Sequence, residues 1–254
     1  MKRRILAAVM GTVLLLVGTA RPAVAADYNR YLDMIRVTAA FLDSAADGLT
    51  ANELIQFTQD IRGALAGVET DLLTQLNNLQ IADIRGQVRY AVTGTQMMDI
   101  PPMLPMYMNT VLQGTINARE KLTEFDGDAE RDIVGKALIT QWDVLLIAQA
   151  RIPTMRVMYA EYQEALEHII GNVRPTCEDS IFNPTGLLTV RCTFDGRTVT
   201  GQQQTIGNEV RHHYGDYNWQ PGGLHRPTIV DRTMAETALD LAERALADLL
   251  RPRI

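Results

Sequence analysis

The stretch TANELIQFTQDIRGALAGVETDLLTQLNNL, residues 50–79, decides the fold class. Its Leu54, Phe57, Ile61, Leu65, Val68, Leu72, Leu76 and Leu79 recur at spacings of 3, 4, 4, 3, 4, 4 and 3. Eleven residues in three turns is close to the helix's own period, so the apolar stripe predicts a straight or slightly right-curling helix. Thr50 with Glu53 three residues later is a capping box, in which each side chain satisfies the other's free backbone N–H. Thirty residues at 1.5 Å each make about 45 Å of helix. Ile84, Val88 and Val92 carry the stripe further, across Gly86. Gly63 and Gly67, four apart on one face, would admit a close neighbour.

The flanks read the same way. Tyr28, Tyr31, Leu32, Ile35, Ala39 and Leu42 mark a helix from Asp27 to about Ala46, stopped by Asp47-Gly48. Pro101, Pro102 and Pro105 keep regular helix out of residues 98–105, and Pro105 suits a first helical turn. That helix should run to about Phe125. Asp128 can then cap one holding Ile133, Val134, Leu138, Trp142, Leu145 and Leu146. Pro153 should kink or split it, with Thr154 restarting a run to about Ile170. Met234, Ala238, Leu241, Ala245 and Leu249, behind a second capping box of Thr233 and Glu236, make a last amphipathic helix.

Between Cys177 and that helix the character changes. Residues 187–194 are rich in β-formers, and Asp195-Gly196 before residues 197–200 is a hairpin signal. Residues 201–227 are polar and read as loop. The expected fold is mainly α: a multi-helix antiparallel bundle of five to seven helices. A small disulfide-linked β-hairpin excursion precedes its C-terminal helix. No repeat of 20–50 residues suggests a solenoid.

Lys2, Arg3 and Arg4, an apolar run from Ile5 to Val17 and the small residues Ala23-Val24-Ala25-Ala26 have the three parts of a cleavable secretory signal. The expected division is therefore a signal peptide over 1–25 and one helical domain over 26–254, with 176–227 as a hairpin and loop insertion. The leader carries four of the chain's 24 basic residues and none of its 30 acidic ones, so removing it leaves a formal charge of −10. An acidic surface disfavours nucleic acid and anionic lipid. No later run of 18 apolar residues predicts a transmembrane span. In an exported chain the two cysteines, Cys177 and Cys192, should pair, closing a loop worth about 3 kcal/mol.

Catalytic signatures are missing. Ser44 and Ser180 lie in no G-x-S-x-G elbow, and there is no phosphate-cradling glycine loop and no C-x-x-C-H haem motif. Glu164 and His168 share a helix face, but the second Glu-x-x-His pair of a di-iron bundle is absent. Two segments stand out instead. Met97, Met98, Met103, Met106 and Met108 could offer thioethers to Cu(I), or fill core gaps. His212, His213, Tyr214, Tyr217, Trp219 and His225 gather aromatics and imidazoles on a polar segment, the composition of a recognition surface.

The expectation is an exported, non-catalytic interaction or scaffold protein of the bacterial envelope, in the periplasm first and outside the cell as the alternative, without a cofactor. Other envelope or secreted proteins, or further copies of the chain, would be its partners. The alternatives are a periplasmic copper- or zinc-binding protein, and a hydrolase or lyase whose dispersed acidic residues meet only in the fold.

Overall fold

The computed structural model describes residues 22–152, 157–182, 186–215 and 218–250; most of the expected signal segment lies outside them. Six helices come first: α1 (Pro22–Asp47), α2 (Ala51–Asn78), α3 (Ala82–Thr93), α4 (Leu104–Glu124), α5 (Asp128–Ala150) and α6 (Tyr159–Asn172). Five strands follow: β1 (Thr176–Phe182), β2 (Leu187–Phe194), β3 (Arg197–Ile206), β4 (Glu209–His213) and β5 (Gln220–Pro221). Helices α7 (Arg226–Met234) and α8 (Ala238–Leu249) end the described chain. This is the mainly α bundle with a disulfide-bearing β excursion that the patterning predicts.

The capping box forms: the Thr50 N–H donates to Glu53 Oε2 at 2.8 Å, and the Glu53 N–H to Thr50 Oγ1 at 3.2 Å. Ile61, Leu65, Val68, Leu72 and Leu76 are buried along α2, as the stripe requires. The break comes at Gln80, in the left-handed region at φ 59°, rather than at Gly86. Ile84, Val88 and Val92 still reach the core, but from a separate helix.

Helix α5 is the axis of the bundle, with all seventeen residues from Ile133 to Gln149 buried. A helix enclosed on every side needs no polar face, which is why its apolar residues spread around it. It is long and apolar enough to cross a membrane, but 94% of its apolar window is buried inside the bundle, the placement of a core helix. Helix α8 seats directly on it: a Cβ at Gly135 would fall 2.7 Å from the Ala238 Cβ.

Three local expectations need correction. Gly127, not Asp128, is the N-cap of α5. The Asp128 carboxylate instead accepts from Arg131 Nη2 at 2.7 Å and from the Asp195 N–H at 3.1 Å, tying the helix to a sheet turn. Thr233 and Glu236 form no capping box, because Thr233 lies inside α7 and donates to the Ile229 carbonyl. The start of α8 is satisfied from elsewhere: Asp132 of α5 accepts from the Ala238 N–H at 2.6 Å. Pro153 and Thr154 lie outside the described residues, and the next described helix opens at Tyr159.

The third correction is the largest. Residues 201–227, read as loop, hold most of β3 and all of β4 and β5, in one antiparallel meander ordered β1-β2-β3-β4-β5. Its first turn signal holds, since Asp195 (φ 43°) and Gly196 (φ 71°) are both left-handed, as a type I′ hairpin demands. Cys177 and Cys192 are bonded and face each other across β1 and β2. Val190, Cys192 and Ile229 of α7 form a small second core, with Leu188, Val199, Tyr214 and Leu224 packed around it.

Candidate functional site

Side chains alternate along a strand, so the register assigns each to a face. Cys177, Asp179 and Ile181 of β1 share one face with Leu188 and Val190 of β2 and Gly201 and Gln203 of β3. Helix α7 covers only part of that face. Beyond it the sheet runs on uncovered, leaving Ile181 at 67% exposure and Val210 also exposed, while Ile206 and Trp219 are exposed on the other face. The opposite face is polar and mostly uncharged. Thr189, Thr193, Thr198, Thr200, Gln202 and Gln204 cross it, with Gln202 Nε2 donating to Thr189 Oγ1 at 3.3 Å and the Thr193 and Thr198 hydroxyls 3.1 Å apart. Among the described residues, β1 pairs with β2 alone, so its outer edge is free.

The aromatic segment seals the other end of the sheet. His213 is buried beneath Trp219, ring centres 4.5 Å apart and edge-on, with its Nε2 3.0 Å from Gln202 Oε1. His212 packs on Tyr214 and donates through Nδ1 to the Gly222 carbonyl at 3.0 Å. The Tyr214 hydroxyl accepts from the His225 N–H, and the Arg232 guanidinium lies over the Tyr214 ring. His225 Nδ1 sits 3.0 Å from Thr228 Oγ1. The three imidazoles thus have three separate sets of partners; Tyr217 lies outside the described residues. Among the described residues, no three His, Cys, Asp or Glu side chains are placed to share a metal ion.

The methionines divide between core and surface. Met98 and Met108 are buried, Met97 and Met103 half-buried, and Met106 exposed. Met97 Sδ accepts from the Tyr90 hydroxyl at 3.5 Å. An ionic clamp missed by sequence reasoning holds this segment: Asp99 accepts from Arg62 at 2.8 Å and from Arg151 at 3.1 Å. Arg151 also donates to Thr58 Oγ1 at 2.9 Å. Its members come from α2, the 94–99 turn and the end of α5, so no local spacing could reveal it.

A second missed feature lies inside the bundle. Asp143 of α5 is fully buried and accepts from the Tyr162 hydroxyl at 2.8 Å. Burial pushes its carboxyl up to about 7; Tyr162, and Thr38 nearby, ease the charged form only in part. Geometry leaves the Thr38 hydroxyl and Asp143 Oδ2 without a hydrogen bond. The same burial, with the Asp143 charge, holds Tyr162 well above the usual phenol range. His168, the bundle imidazole, faces the Arg119 carbonyl at 3.2 Å, and burial lowers its affinity for a proton.

No protein-family profile, curated protein or solved structure matches this chain significantly.

Proposed function

We propose that the protein is an exported, non-catalytic helical protein of the bacterial envelope that presents its five-stranded sheet to a partner protein. The observation that carries this reading is the far part of the sheet, where Ile181, at the free edge of β1, and Val210, on the same face, stand exposed beyond the cover of α7. Apolar side chains next to unpaired strand backbone are what a partner strand or loop would cover. The cysteine pair supports an oxidising compartment. Cleavage after Ala25 would trim only the first turn of α1, leaving Tyr28 bonded to Asp240 of α8 at 2.6 Å.

The test has two parts. The N-terminal sequence of the protein recovered from its native envelope should begin at or next to Ala26. Mild crosslinking in that envelope should then give a discrete adduct that an Ile181→Asp, Val210→Asp variant loses and an Ile55→Asp variant, altered at an exposed position on α2, keeps. An intact leader would overturn the export reading, and an adduct equal in both variants would overturn the role of the sheet.

A further inference from the structure

A cavity of 350 Å³ opens at the seam between bundle and sheet, lined by Ile170, Arg174, Cys177, Val230, Leu239 and Glu243 together with Pro175 and Arg226. This volume falls at the small end of ligand sites, which span about 300–1,000 Å³. Ile170 lies in the last turn of α6, Val230 on α7, Leu239 and Glu243 on α8, and Cys177 brings the disulfide of β1. The wall therefore comes from four elements, and exists only once the sheet has docked on the bundle.

Its charges are sorted in a specific way. Arg226 is already matched, since its Nη1 lies 3.1 Å from Asp179 Oδ2. Arg174 fixes its Nε on the Ile170 carbonyl at 2.8 Å, which orients the guanidinium and leaves its terminal amines without a hydrogen bond among the described residues. Glu243 lines the same cavity; neither it nor Arg174 closes an ion pair among the described residues. Burial, then Asp231 and Asp240, make the Glu243 carboxyl harder to ionise, while Arg174 pulls the other way. A cationic group beside it would favour the ionised carboxylate that burial disfavours.

With Arg226 held by Asp179, the one unpaired guanidinium, the one carboxylate and the aliphatic floor are complementary to a molecule with one negative end, one positive end and an aliphatic body. A simple anion would meet Glu243, and a simple cation would meet Arg174. We propose that the seam cavity binds a free aliphatic α-amino acid, its carboxylate on Arg174, its ammonium on Glu243 and its side chain on Ile170, Val230 and Leu239. This goes beyond the partner-presenting role of the sheet and does not depend on it.

Calorimetric titration of the disulfide-intact mature protein tests it, using L-leucine, leucinamide without the carboxylate, and 4-methylpentanoate without the ammonium. Leucine should bind, and each analogue should bind about tenfold more weakly or worse, since each leaves one charged protein group unmatched. Arg174→Ala and Glu243→Gln should cause comparable losses for leucine without moving the unfolding midpoint, because both side chains are exposed. Saturable leucine binding with that pattern supports the assignment. No binding up to about 10 mM, equal binding of 4-methylpentanoate, or leucine binding indifferent to Arg174→Ala would each overturn it.

Discussion

Seventeen consecutive residues of α5 are buried, whereas of the ten residues of β3 only Gly201 is. The two regions are held by different physics. The bundle buries apolar side chains on all sides of one helix, so its stability scales with area removed from water. The sheet buries little and rests on its backbone ladder, one disulfide and the cover of α7. A rigid core that exposes little is poorly suited to meeting a partner. A thin sheet braced against such a core can offer both a free edge and exposed apolar residues without endangering the fold.

The comparison can be broken most forcefully from the bundle side. Leu138→Ala, in the middle of α5, should cost roughly 2–5 kcal/mol by lost burial plus a cavity. Urea unfolding should show that loss for helix and sheet probes alike, because the sheet stands on this core. A loss confined to helical signals would mean that the sheet folds independently.

Asp143 sharpens the picture with a change in the opposite direction. Its folded-state carboxyl titrates near 7, above an unfolded value of about 3.9. The folded protein therefore holds the proton more tightly. The stability tied to Asp143 is full below about pH 4 and is lost as pH rises towards 7. Asp143→Asn keeps an acceptor for Tyr162 and should stabilise the protein by up to about 4 kcal/mol at pH 8. Thermal melts at pH 5 and pH 8 would check this, with the variant's advantage larger at pH 8.

A smaller effect is expected from the disulfide. Replacing Cys177 and Cys192 by Ala should cost about 3 kcal/mol, with hydrogen exchange quickening first in β1 and β2. The smallest concerns the presented surface. Ile181→Ser should change the unfolding midpoint by less than about 0.5 kcal/mol, as exposed substitutions usually do. A larger cost would show that Ile181 serves packing rather than display.

How much of this was legible in the sequence follows from the same contrast. Along α2 the stripe from Leu54 to Leu76, its cap and the buried positions could all be read from spacing, because helix burial imposes a period. Residues 201–213 carry no such period. Gln202, Gln203 and Gln204 sit on two faces that are both partly polar, so the strand left no alternation and looked like loop. The Asp132 cap on α8 and the Asp99 clamp were invisible for another reason: their partners come from distant parts of the chain. The seam cavity belongs to this class, since Arg174, Val230 and Glu243 meet only through docking. The aromatic segment stood out by composition, but spacing could not show that His212 and His213 would be bound within the sheet and His225 at the start of α7.

The central claim is that the bundle is the cooperative core and the sheet a less stable surface built on it. Native-state hydrogen exchange under increasing urea tests this most directly. The account predicts that amides of α5 exchange only through global unfolding, while those of β3 and β4 exchange through a smaller opening of lower free energy. If the β3 and β4 amides matched α5 at every urea concentration, the two regions would be one cooperative unit and the account would be contradicted.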